Sequence, residues 1–325
     1  MNYGFWEQLP RPFFVLAPMA NVTDTAFRQI IAKYGRPNAM FTEFVSANGL
    51  CSQKGREALL KDLRFTDEER PIVAQIFSAD PEKIYETAKL IVALGFDGLD
   101  INMGCPDKAI VKQGAGAGMI KTPELAQAVI RAAQAGVADA GSTIPVTVKT
   151  RLGFAKDEAD TWIPTLLTTN LPVLTIHGRT AKELSKVPAH WDRIADVVAM
   201  AKGSGTLIVG NGDVTTLEDA KNKVAETGVD GIMFGRAIFG NPWFFQENAN
   251  PPTLEETLHV LMEHTQLYEQ TWAGQKSFEL MKKHYKSYVA RFPGAHDLRM
   301  CLMLCHSADD VVREVTAFLS KNQTA

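Results

Sequence analysis

GLDINMGCPDKAIVKQGAGAG, Gly98 to Gly118, begins as a short and almost wholly apolar run and ends on an amide, a cysteine and a glycine-rich loop. An apolar run of that length, bounded by turn residues, reads as a strand buried on both faces. Pro106 stiffens the backbone behind Cys105, and the glycines leave the following loop free to move, so Cys105 is placed to meet a ligand at a strand end. Seven further runs have the same texture: FFVLAPM from Phe13, AMFTEFV from Ala39, PIVAQIF from Pro71, PVTVKTR from Pro145, PVLTIHG from Pro172, TLIVGNG from Thr206 and GIMFGRA from Gly231. Between most of them lie helical patterns with start signals at Asp80, Thr122 and Thr216, and Gly95, Gly136 and Gly228 read as helix ends. The segment from Cys51 to Arg70 is crowded with charge and has the poorest helical pattern.

Eight such strands alternating with helices within about 240 residues predict an α/β fold, a (β/α)8 TIM barrel, with a doubly wound sheet as the runner-up. The barrel is favoured because polar residues gather at the ends of nearly all the strands: LAPMA (Leu16 to Ala20), VKTRLG (Val148 to Gly153), IHGRT (Ile176 to Thr180) and VGNGD (Val209 to Asp213), besides Asn102 and Cys105. That is the face on which barrel active sites are built, whereas a doubly wound sheet would gather them at one switch point. After Pro251 to Thr253 the strands stop and long helical patterns run to the C-terminus. The expected division is therefore a barrel domain over residues 1–250 and a helical domain over 251–325.

The chain has 325 residues, a formal net charge of -3 and 46% hydrophobic content, which suits a globular protein and gives no bulk support to nucleic-acid binding. Any such role must rest on a local surface, and Gln275 to Met300 offers one, with Lys276, Lys282, Lys283, Lys286, Arg291 and Arg299 against Glu279 and Asp297. A solvated helix face explains such a run about as often as binding does. Cys51, Cys105, Cys301 and Cys305 form no CxxC pair, and MNYGFWEQLP is no secretory start, so reduced thiols in a cytoplasmic protein are expected. The longest uncharged stretch, Thr161 to Gly178, is broken by Pro164, Asn170, Pro172 and His177 into a helix end, a turn and a strand, so no membrane span is expected. No metal site is expected either, and the protein is expected to be a monomer.

In a barrel the last two strand-end loops commonly bind a phosphate through backbone N–H groups. Here those loops read GNGDV (Gly210 to Val214) and FGRAIFG (Phe234 to Gly240), the second with Gly235 beside Arg236. No second glycine-rich cradle is present, which points to a ligand with one phosphate. A flavin mononucleotide (FMN) fits that description. Its reduced ring gathers negative charge at N1 and O2, which Lys149 would stabilise with His177 beside it, while Gln75 could hydrogen-bond the pyrimidine edge. Each residue taken singly is more often a satisfied or solvated polar group; their common position at strand ends is what argues for a site.

APMANVTDTAFR from Ala17, TEFVS from Thr42, DINMGCPDKAIVKQGAGAG, VKTRLG, IHGRT, GNGD and FGRAIFGNPWFF together resemble the tRNA-dihydrouridine synthases, in that family's order. KKHYKSYVARFPGA from Lys282, with Leu298 and Arg299, is similar to the KH…Y…G…R pattern of the family's helical domain. The resemblance implies reduction of uridine in tRNA to 5,6-dihydrouridine with FMN and NADPH. It further implies that Pro18, Met19 and Ala20 border the flavin, that Gln75, Lys149 and His177 contact its ring, and that Asn211, Gly212, Asp213, Gly235 and Arg236 hold its ribityl chain and phosphate. Asn102 and Arg151 would face the uracil, Cys105 would be the acid, and Lys282, Lys283, Arg291 and Arg299 would meet tRNA phosphates. The catalytic loop departs from the family pattern at Ala115, Gly118 and Met119. Two other readings stand beside this one: a dihydropyrimidine or dihydroorotate-type flavin oxidoreductase, and a non-catalytic RNA-binding barrel.

Overall fold

The computed structural model describes residues 1–247 and 250–323. Nine parallel strands form its sheet: β1 (Phe13–Leu16), β2 (Ala39–Phe41), β3 (Val45–Ser46), β4 (Ile72–Phe77), β5 (Gly98–Met103), β6 (Val146–Gly153), β7 (Val173–Thr180), β8 (Leu207–Asn211) and β9 (Gly231–Phe234). β1 pairs with both β2 and β9, and β2 also pairs with β4, so eight of them close on themselves as a barrel. β3, which the sequence does not announce, is a two-residue addition on the end of β4. The eight predicted strands are all present, and closure explains their texture: every residue of β5 is buried, including Asp100 and Asn102.

One end of the barrel is plugged. Trp6, from the short helix Gly4–Gln8, packs with Phe41 and with Phe13, Val73, Val173 and Leu207, these four at or near the N-terminal ends of their strands, its ring 5.3 Å from that of Phe13. The polar strand ends therefore converge at the opposite, C-terminal face.

The outer helices start where the sequence signals place them. Asp80 accepts from the N–H groups of Glu82 and Lys83, and Thr216 from that of Asp219. Thr122 precedes Pro123–Asp139 without making a cap bond. Gly228 closes its helix in the left-handed conformation, φ +74°. Gly136 corrects the reading of it as a helix end, for it lies inside Pro123–Asp139. A β-carbon there would stand 2.4 Å from the carbonyl oxygen of Tyr85 on the helix Pro81–Ala93, so glycine is required by close helix packing. Between Cys51 and Arg70 the helix Gln53–Leu59 buries no residue, which is why it leaves no apolar period to read. No helix among the described residues is long and apolar enough to cross a membrane.

The chain divides into two compact units, Met1–Thr23 with Pro37–Gly235, and Asp24–Arg36 with Arg236–Ala325. The helical unit thus begins fifteen residues before the change of texture at 251 and also claims the helix Thr25–Tyr34. The cause is packing: Ala26 and Ile30 join Leu258, Leu261, Tyr285, Leu302, Val311 and Val315 in one apolar core. Its long helix Leu254–Trp272 opens on a capping box, Thr253 accepting from the N–H of Glu256 while Glu256 accepts from that of Thr253. In the barrel unit, Gly136→Ala must push the two helices apart and should cost about 1–3 kcal/mol in urea unfolding. An unchanged midpoint would show that the contact does not limit stability.

Candidate active site

The register of neighbouring strands aligns polar residues across the barrel interior. Gln75 of β4 stands opposite Asp100 of β5, Asp100 opposite Thr147 of β6, and Asn102 opposite Lys149. Further round, Arg151 stands opposite His177 of β7, and His177 opposite Asn211 of β8. The hydroxyl of Thr147 donates to Asp100 Oδ1 at 2.6 Å and Gln75 Nε2 donates to Oδ2 at 2.7 Å. Gln75 Oε1 in turn accepts from Asn102 Nδ2 at 2.9 Å, and Asn102 Oδ1 accepts the N–H groups of Gly104 (3.1 Å) and Cys105 (2.8 Å). Expected to face ligands, Gln75 and Asn102 first hold each other and the cysteine loop, and each keeps one N–H for another partner.

Cys105 is half-buried and free. Burial pushes its thiol up from the ordinary value, against the pull of the Asp107 N–H and the charges of Arg151 and Lys149, so it is protonated at neutral pH. Its carbonyl accepts from Ala117 at 2.9 Å, and a β-carbon on Gly116 would fall 2.7 Å from that same oxygen, so the loop folds back only with glycine there. The departures Ala115 and Met119 are buried in this fold-back.

The side chain of Lys149 makes no hydrogen bond or ion pair among the described residues. Burial lowers its pKa to about 8, as does repulsion from Arg151, while Asp100 and Cys105 pull it back up. It still carries its charge at neutral pH. A half-buried ammonium without an acceptor among the described residues suits the electron-rich edge of a flavin, and the donor set around it fits that group. Gly235 adds room, for a β-carbon there would meet nothing nearer than Met19 Sδ at 3.5 Å. Met19 itself lies in a turn after β1, where its N–H is held by the Thr23 hydroxyl. Pro18 is half-buried and Ala20 exposed in that turn, and Arg236 opens a short helix immediately after Gly235.

Two buried arginines tie the strand-end loops together. Arg151 Nε donates to the Gly104 carbonyl at 2.7 Å and Nη1 to that of Thr180 at 3.1 Å; burial lowers its pKa to about 10, which leaves it charged. Arg179, which the sequence reading quoted but assigned no role, donates to the Val187 carbonyl at 2.7 Å and to His177 Nε2 at 3.0 Å, and forms an ion pair with Asp213. A donor on Nε2 leaves Nδ1 as the N–H of His177. Asp213 also accepts from the Ala189 N–H at 2.9 Å, so its carboxylate is engaged by protein donors. Asn211 Nδ2 donates to the Met233 carbonyl at 2.8 Å, and the Gly212 carbonyl accepts from Trp191 Nε1 at 3.0 Å. Gly210 is required by Trp191, whose ring would lie 2.5 Å from a β-carbon.

In the helical unit the basic run divides. Lys282 is buried, its ammonium 2.7 Å from Glu279, and so does not offer a charge to solvent. Arg299 is half-buried and donates to the Val289 carbonyl at 3.1 Å, and Lys283 is half-buried. Lys286 and Arg291 are exposed, but Arg291 lies beyond the end of the helix Lys282–Tyr288, in the left-handed conformation, so helical spacing does not align it with the lysines. Among the described residues no three His, Cys, Asp or Glu side chains gather to hold a metal ion.

Sequence reasoning missed Asp100, Arg179 and Trp191. The signal for Asp100 was available, since a carboxylate in a strand buried on both faces must have donors. Replacing Arg179 by Met strips Asp213, Val187 and His177 of one donor at once. It should cost about 1–3 kcal/mol and speed amide exchange at Ala189; wild-type exchange there would show that Arg179 does not hold the loop.

The family model described as dihydrouridine synthase (Dus) matches residues 15–323. "Probable tRNA-dihydrouridine synthase 2" of Bacillus subtilis (strain 168) is 38% identical over 315 residues, covering 96% of this chain and 95% of that protein. "Probable tRNA-dihydrouridine synthase" of Staphylococcus aureus (strain MRSA252) is 37% identical over 307 residues, 93% of this chain and 92% of that one. Among solved structures, the old yellow enzyme homologue from Zymomonas mobilis superposes with a TM-score of 0.50 at 12% identity, over 76% of this chain and 92% of that one. Histamine dehydrogenase from Rhizobium sp. 4-9 gives 0.53 at 13%, over 78% of this chain and 48% of that one. At such identities the likeness speaks for the barrel fold alone. The sequence relatives and the family match over nearly the whole chain carry more: this protein belongs to the dihydrouridine synthase family.

Proposed function

We propose that the protein reduces uridine in tRNA to 5,6-dihydrouridine, with Cys105 as the acid. The observation that carries the reading is a protonated, half-buried thiol on a loop anchored to Asn102, at the barrel end where Lys149 has no acceptor of its own. FMN would be held by Lys149, His177 and Gln75 at the ring, by Pro18, Met19 and Ala20 along its border, and by Asn211, Gly212, Gly235 and Arg236 at the ribityl phosphate. Asp213 acts there through Arg179. Held there and reduced by NADPH, FMN would supply the hydride chemistry for C6 of the uracil ring.

The protein supplies the rest. Asn102 and Arg151 border the uracil, and the Cys105 thiol transfers its proton to C5, leaving a thiolate that the nearby charges of Arg151 and Lys149 stabilise until solvent reprotonates it. Burial favours the thiol before transfer, and those two cations favour the thiolate after it. The target base is stacked in folded RNA and must be extruded into the barrel end. Phosphate contacts on the helical unit would come from Lys286 and Arg291, with Lys283 and Arg299 closer to the protein surface.

Cys105→Ala should leave flavin bleaching by NADPH intact and lower uridine reduction in tRNA by roughly 10²- to 10⁴-fold; wild-type reduction by this variant would remove Cys105 as the acid. If the exposed cations meet phosphates, Lys286→Ala/Arg291→Ala should weaken tRNA binding irrespective of sequence. It should also reduce the slope of log affinity against log salt by about 0.7–0.9 per lost contact. An unchanged slope in a salt titration would return this face to ordinary solvation.

A further inference from the structure

We propose that Asp100 is a positioning residue: its carboxylate sets the direction of a hydrogen-bond relay through Gln75 and Asn102 that holds the Cys105 loop. An amide side chain can be turned end for end, and nothing about Gln75 or Asn102 alone says which end faces which neighbour. A carboxylate removes the choice because it only accepts. Gln75 must present Nε2 to Asp100 Oδ2, so its Oε1 faces Asn102. Asn102 must then present Nδ2 to that oxygen, so its Oδ1 faces back along the chain and accepts the N–H groups of both Gly104 and Cys105. Were Gln75 reversed, its Nε2 would meet the donor end of Asn102. Asn102 would have to reverse as well, setting its own N–H groups against those of Gly104 and Cys105. Three hydrogen bonds separate the carboxylate from the Cys105 backbone, and each takes its sense from the one before.

The groups facing Asp100 are Thr147, Gln75 and Lys149. Burial raises its pKa to about 6, against the pull of these three, so the relay has its acceptor-only end at pH 7.5. The thiol is thereby oriented from the barrel interior by residues on β4 and β5, while Arg151 holds the Gly104 carbonyl from β6. The relay's weight in turnover rests on Cys105 being the acid; its existence does not.

Asp100→Asn keeps the size of the side chain and restores the ambiguity. Amide exchange at Gly104 and Cys105 should quicken roughly tenfold or more, the worth of a lost charge-assisted bond, and alkylation of Cys105 by iodoacetamide at pH 7.5 should change in rate. Gln75→Met cuts the relay in its middle and should do the same, which decides the matter should Asp100→Asn fold poorly. Thr147→Val removes the other bond to Asp100 but leaves Gln75 facing it, and, measured well above the pH at which Asp100 protonates, should leave Gly104 and Cys105 as in the wild type. Wild-type exchange at these two amides in folded Asp100→Asn or Gln75→Met would overturn the proposal, as would an equal effect of Thr147→Val, which would mark mere loosening of the core. A loosened loop with undiminished uridine reduction would uphold the relay and count against Cys105 as the acid.

Discussion

A carboxylate inside a closed barrel is out of reach of solvent, and desolvating it costs several kcal/mol unless neighbours supply donors. Asp100 meets that condition because three adjacent strands are in one register: β4 brings Gln75 and β6 brings Thr147 to either side of it, with Lys149 two residues further along β6. Much of the site follows from this. Lys149 keeps its charge in a half-buried place partly because of Asp100, and the amides beside Asp100 are pointed by it. A barrel interior is thus more than a packed plug of aliphatic side chains here; one charged layer carries orientation from the strands to the loops.

The loops at the C-terminal face are held by a second device. Strands that end leave carbonyls without ladder partners, and buried guanidinium groups are suited to collect several of them at once. Arg151 draws together the Gly104 and Thr180 carbonyls, and Arg179 joins Val187, His177 and Asp213. The two arginines stabilise a rim of loops and in doing so are themselves largely spoken for. The side chain of Lys149, by contrast, has no acceptor among the described residues, which is the physical basis of its proposed role toward a ligand.

The motif from Lys282 to Arg299 is chiefly a folding motif. His284 and Tyr288 are buried, His284 stacks at 5.3 Å on Phe27 and meets His264 edge-on at 4.8 Å, and both imidazoles are kept neutral by burial. Gly294 adopts φ +79° ahead of the helix Ala295–Leu304, and Arg299 closes the carbonyl of Val289. The helical unit needs these residues to pack, and Lys282 is drawn into that packing by Glu279.

The eight strands, their alternation with helices and the gathering of polar residues at one face were legible in the sequence, because strands buried on both sides leave continuous apolar runs and interrupt them only where function or satisfaction demands it. Cys105, Lys149, Arg151 and His177 could be read in the same way, from their place at strand ends. The partners of those residues could not. Gln75 finds Asp100 across a gap of 25 residues and Arg179 finds Asp213 across 34, by strand register alone, which no local pattern encodes. For the same reason Gly136 looked like a helix end until Tyr85 came up against it, the helix Thr25–Tyr34 looked like part of the barrel until Ala26 and Ile30 found their core, and Lys282 looked exposed until Glu279 claimed it. Periodicity tells which face of an element is apolar; only packing decides what that face, or a polar group beside it, will meet.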